Sequence, residues 1–110
     1  MPRSVFIPRL SQTLASVESM AVTRVLLVDD ESLVRKILKQ VLAGYPDAEL
    51  VGEAETGEEA IIAVDRLHPD VVVMDIRMPA MDGTAAARKI RQKHPHVKII
   101  SLSDMRMGTT

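Results

Sequence analysis

From Arg24 onward the chain alternates between short runs rich in β-branched and aliphatic residues and longer stretches in which apolar positions recur at helical spacing. "RVLLV" predicts a first strand. Leu33, Val34, Ile37, Leu38, Val41 and Leu42 then mark the core stripe of a helix, with Ser32 as its N-cap and Gly44 as its stop. "AELVGEA" predicts a second strand. Thr56 and Glu59 form a capping-box pair ahead of a helix that turns Ala60, Ile61, Ala63, Val64 and Leu67 toward a core. "VVVMD" is the third strand, Thr84 to Lys93 a shorter helix capped by Asp82 or Thr84, and "VKIISL" the fourth strand. Strands alternating with helices imply an α/β fold: a doubly wound parallel sheet with right-handed crossovers and helices on both faces.

Composition narrows the picture. A chain of 110 residues has room for one domain, and it is short for a parallel fold, in which each added strand needs a crossover helix. The hydrophobic fraction of 46% and charged fraction of 26% suit a globular chain. A formal net charge of −1 gives no basis for nucleic acid binding through this segment. The chain has no cysteine, which excludes disulfides and thiolate metal sites, and no apolar run approaches the roughly eighteen residues of a membrane span.

The first nineteen residues read differently, with prolines, serines and arginines but no sustained apolar stretch. Residues 1–19 are expected to form a disordered N-terminal extension, and Met20, just before the first strand, is an alternative start that would make them an upstream extension of the reading frame.

The candidate chemistry lies where the strands end. In an open parallel sheet, ligands bind beyond the carboxyl ends of the strands. "LLVDD" puts Asp29 and Asp30 just past the first strand, "VVVMD" puts Asp75 at the end of the third, and "IISLS" puts the Ser103 hydroxyl at the end of the fourth. If the first and third strands are neighbours, the carboxylates of Asp29, Asp30 and Asp75 crowd one pocket. Their repulsion calls for a hard cation, and an all-oxygen site with few protein ligands suits Mg²⁺. Singly, each feature is ordinary: an Asp-Asp pair is often a turn or a helix cap, and "MP" followed by "DG" is a common turn signal. His94 and His96 beside Pro95, and His68 in "LHPD", read as loop and helix-end residues rather than metal ligands.

In combination, "VDD", "MDIRMPAMDG" and "IISLSD" resemble the receiver domain of two-component response regulators. The stretch "VGEAETGEEAI…PDVVVMDIRMPAMDG" is similar to the subfamily that carries a LuxR-type helix-turn-helix output. The likeness runs from about Val25 to Ser103, and residues 20–110 are the expected receiver. It implies a flavodoxin-like fold and a non-enzymatic, cytoplasmic phosphoprotein whose Asp75 is phosphorylated by a sensor histidine kinase. It further implies Mg²⁺ held by Asp29, Asp30, Asp75 and the backbone carbonyl of Arg77, with Asp30 the direct ligand, and Ser103 as the switch hydroxyl. A hydrolase working through an aspartyl phosphate does not fit, because the haloacid dehalogenase type needs an aspartate where Arg77 stands.

Complete receivers add a fifth strand, further helices, a lysine that contacts the phosphoryl group and an aromatic switch residue. None of these follows "VKIISL" here, so the resemblance implies a C-terminally truncated receiver, with about four of five strands and slow or undetectable phosphoryl transfer. Asp104 puts a carboxylate where the family tends to carry a small residue. The alternative reading is a non-signalling fragment that acts by protein–protein pairing, as a homodimer or with an intact regulator. Two structural expectations follow: an exposed edge along the fourth strand, and apolar surface from Val25, Leu27, Val71 and Val73 left partly wet.

Overall fold

The computed structural model describes residues 22–75 and 83–102. Four strands, β1 (Thr23–Val28), β2 (Ala48–Ala54), β3 (Val71–Met74) and β4 (Lys98–Ser101), form one parallel sheet in the order β2-β1-β3-β4. The crossovers between them are α1 (Ser32–Leu42), α2 (Gly57–Leu67) and α3 (Gly83–Lys93). The expected doubly wound parallel sheet is thus present, with β1 and β3 as the central neighbours.

Parallel strands covered on both faces need apolar residues at every position rather than at alternate ones, and β1 and β3 meet that need. Leu26, Val28, Val72 and Met74 face the α2–α3 side, where they pack with Ala60, Val64, Ala86, Ala87 and Ile90. Val25, Leu27, Val71 and Val73 face the other side and pack with Leu38, Val41 and Leu42 of α1, together with Ile100 and Leu102. Each of these four strand residues is at most 1% exposed, which corrects the expectation of a partly wet face. The large side chains of α1, the end of β4 and the half-buried Val34, Tyr45, Ala48 and Leu50 close over them.

Along α1 the core stripe is narrower than the sequence pattern suggests. Leu38, Val41 and Leu42 are buried and Val34 half-buried, whereas Leu33 and Ile37 stay 66% and 51% exposed. These two stand one turn apart along the flank of the helix, turned away from the sheet.

The helix ends also differ in detail from the sequence pattern. Ser32 is the first residue of α1 rather than its cap; the cap position falls on Glu31, whose side chain makes no capping bond. At α2, the Thr56 hydroxyl accepts the Glu59 amide at 3.1 Å, as the capping pair requires. Glu59 returns the contact one residue early, accepting from the Glu55 amide at 2.9 Å. The helix α3 begins at Gly83, so Thr84 lies inside it, and Asp82 is outside the described residues.

One irregularity breaks the β1–β2 ladder. Val25 pairs with Leu50 but Leu26 pairs with Gly52, which leaves Val51 as an extra residue in β2. Gly52 then lies under α2, where a Cβ would come within 2.6 Å of Leu67 Cδ1.

The amino ends of the strands are stitched together by Asp70. Its carboxylate accepts the Arg24 amide at 2.8 Å, its own amide donates to the Arg24 carbonyl at 2.8 Å, and its carbonyl accepts the Lys98 amide at 3.0 Å. Arg24 also donates to the carbonyl of Leu67, the last residue of α2. His68 ends that helix in the left-handed conformation, with φ of 50°.

Candidate phosphoacceptor and cation site

At the opposite end of the sheet, Val28 of β1 pairs with Met74 of β3. Asp29 and Asp75 therefore leave two adjacent central strands at the same level. Asp29 is 1% exposed, Asp75 half-buried and Asp30 exposed.

The Asp29 side chain is held by local backbone geometry. Its Oδ1 accepts the Glu31 amide at 2.9 Å, the bond of an Asx-turn. That bend explains why Glu31, and not Ser32, occupies the cap of α1: Asp29 turns the chain two residues before the cap. The Asp29 amide donates to the Ala54 carbonyl at 3.0 Å, extending the β1–β2 ladder by one step.

Burial raises the pKa of the Asp29 carboxyl above its ordinary value of 3.8. The bond from Glu31 opposes the shift, and the negative charges of Asp75, Asp30 and Glu31 add to it. Asp29 thus senses the charges of the other two predicted carboxylates. Among the described residues, however, no group of three acids or histidines converges closely enough to hold a metal ion unaided. Mg²⁺ does not require such a cage, since it keeps several waters and takes one or two carboxylates. The all-oxygen donor set and the unfavourable charge on Asp29 fit a hydrated dication. The remaining predicted contributors, the Arg77 carbonyl and the Ser103 hydroxyl, lie outside the described residues.

The residue that sequence reasoning missed is Arg35 of α1. Its Nη1 donates to the Asp29 carbonyl at 2.6 Å and its Nε to Glu53 Oε1 at 2.9 Å, while Nη2 lies 3.5 Å from Glu55 Oε2. Lys39 pairs with the other Glu53 oxygen at 3.0 Å, and together Lys39 and Arg35 hold the Glu53 carboxyl below its ordinary range. Helical spacing offered a weak clue: Arg35 and Lys39 lie four residues apart and share one edge of α1.

The histidines lie elsewhere. Asp65 of α2 accepts from Lys93 at 2.9 Å and meets His94 Nε2 at 2.8 Å, and the His94 ring stands edge-on to both His68 and His96.

Residues 25–109 match the response regulator receiver domain family. A protein-glutamate methylesterase/protein-glutamine glutaminase of Geobacter metallireducens is 50% identical over 80 residues, which are 73% of this chain and 23% of that protein. The chain therefore spans about a quarter of that curated relative. The response regulator domain of Thermotoga maritima CheB superposes with a TM-score of 0.68 at 41% identity, covering 73% of this chain and 59% of that one. A LuxR-family two-component response regulator from an Aurantimonas species superposes with a TM-score of 0.66 at 35% identity, covering 71% and 56%. With the sheet order, the carboxylates at its carboxyl end and the family match in agreement, the chain belongs to the response regulator receiver family.

Proposed function

We propose that the chain is a phosphoacceptor receiver of a two-component relay, modified on Asp75 by a sensor histidine kinase in a Mg²⁺-dependent reaction. The observation that carries this reading is the position of Asp29, buried and raised in pKa beside Asp75 and Asp30 at the carboxyl end of the central strands. In the transfer, an Asp75 oxygen attacks phosphorus, the bond from phosphorus to the kinase imidazole breaks, and an acyl phosphate forms. Asp29 and Asp30 would hold Mg²⁺, with Asp75 and the Arg77 carbonyl completing the protein ligands. When bound, the ion supplies the charge neutralisation that lets a carboxylate approach an anionic phosphoryl group.

The reading is supported by β3, buried along its whole length, with Asp75 the residue that directly follows it. Ser103 is the hydroxyl that would follow the added phosphoryl group. Residues 20–110 form the receiver, preceded by residues 1–19, and the setting is the cytoplasm. No helix among the described residues is long and apolar enough to cross a membrane.

The second reading, pairing without signalling, draws on β4, whose only strand neighbour in the sheet among the described residues is β3. Such an edge suits a second copy or an intact regulator.

The test is to treat the full chain with Mg²⁺ and a small phosphodonor and locate the product by mass spectrometry. The expected product is an acid-stable, base-labile phosphoryl group on Asp75, formed slowly and abolished in Asp75→Asn. Modification at another residue, or equal modification of the Asp75→Asn chain, would overturn the phosphoacceptor reading.

A further inference from the structure

The guanidinium of Arg35 spreads its contacts over two elements. One nitrogen reaches the Asp29 carbonyl at 2.6 Å, and the others reach Glu53 at 2.9 Å and Glu55 at 3.5 Å, at and just beyond the end of β2. The Asp29 carbonyl belongs to the peptide that carries Asp30. Both backbone groups of Asp29 are thereby fixed, the amide on Ala54 and the carbonyl on Arg35. The Arg35 side chain is only 11% exposed, whereas its acid partners are 31% and 62% exposed. Ion pairs so close to solvent add little to stability. Their geometric effect is larger, because a planar fork gripped on two sides has one orientation.

Building on the phosphoacceptor reading above, we infer that Arg35 is a positioning residue for the cation site: anchored by Glu53, it fixes the Asp29–Asp30 peptide and so sets where the Asp30 carboxylate stands. In this role Arg35 would act through that peptide and not by touching the ion or the phosphoryl group itself. It acts as partners of metal ligands generally do, by limiting how far a ligand can swing. A lysine at this position keeps the charge and can reach the carbonyl, but it lacks the fork and cannot hold Glu53 at the same time.

The experiment is a Mg²⁺ titration of the full chain, followed by NMR or calorimetry, with the thermal midpoint recorded for every variant. Arg35→Gln should weaken Mg²⁺ binding about tenfold, the low end for partners of metal ligands. Arg35→Lys should fall between it and the wild type. Glu53→Gln should shift affinity in the same direction by less, and it supplies the answer if Arg35→Gln does not fold. Lys93→Gln, which breaks the remote pair with Asp65, should leave the affinity unchanged. Wild-type affinity in both Arg35→Gln and Glu53→Gln would overturn the positioning role while leaving the functional reading intact. An equal loss in Lys93→Gln would overturn it too, by showing that general loosening of the fold is enough. A wild-type chain that binds no Mg²⁺ would overturn the functional reading and this role with it.

Discussion

Asp29 and Asp75 stand side by side because Val28 and Met74 are paired in the parallel ladder, and each acid is the next residue along its strand. Charge is thereby set against charge at the most buried point of the site. A carboxyl whose folded pKa is raised favours the native state when protonated; that contribution is complete below the ordinary value of 3.8 and is lost as pH rises through the folded value. At neutral pH the Asp29 charge therefore opposes folding. Asp29→Asn should raise the thermal midpoint in metal-free buffer and remove most of the stabilisation that Mg²⁺ gives the wild type. A variant less stable than the wild type without metal would contradict this account of Asp29.

Asp30 is exposed and close enough to Asp29 to affect its charge. Asp30→Ala should weaken Mg²⁺ binding at least tenfold, the size of loss expected when a ligand of a sparse oxygen site is removed. Asp104→Ala should change it little. Calorimetric titration of both variants checks this, and equal affinities would remove Asp30 from the site.

Ile90 is 1% exposed in the cluster between α3 and the sheet, whereas Ile62 on α2 is 55% exposed. Ile90→Ala should cost about 2–5 kcal/mol by denaturant unfolding. Ile62→Ala should stay within about 0.5 kcal/mol of the wild type.

The cap at the start of α2 and the close approach at its end make separate demands. Thr56→Ala removes the acceptor for the Glu59 amide and should cost about 1 kcal/mol. Gly52→Ala pushes only on the flexible end of Leu67, so its cost should lie near about 1 kcal/mol, the lower end of overpacking effects. Equilibrium unfolding of the two variants separately and together should show near-additive losses.

Asp65 behaves oppositely to Asp29. Hydrogen bonds from His94 and Lys93 lower its carboxyl pKa, so its contribution is present above the ordinary value of 3.8 and is lost as pH falls through the folded value. Stability curves of wild type and Asp65→Asn should converge in acid and separate toward neutrality. The separation should be small for so exposed a pair.

Much of this was legible in the sequence. The apolar runs of β1 and β3 read as strands buried on both faces, as they are, and the acids that end them marked the candidate site. Where the pattern misled, tertiary packing decided the outcome. Leu33 and Ile37 share the spacing of Leu38 and Val41, and only the angle at which α1 lies on the sheet separates them. The Arg35 contacts were hidden for a related reason, since Glu53 and Glu55 are 18 and 20 positions away and meet α1 only once β2 has paired with β1. Glu31 displaced Ser32 at the cap because a side chain two residues earlier, on Asp29, had already bent the loop.

The extra residue in β2 has a bearing on which changes of length the chain can absorb. Leu50 packs on the α1 side of the sheet and Ala54 on the α2 side, although an even number of steps separates them; Val51 accounts for the switch. Deleting Val51 would leave every β1–β2 partner in place, with Leu50 opposite Val25 and Gly52 opposite Leu26. Deleting Glu53 instead would carry Ala54 to the position opposite Leu27, on the wrong face, and would take away the anchor of Arg35. Within this strand, shortening by one residue is tolerable at Val51, where the ladder already carries a surplus, and disruptive two positions later.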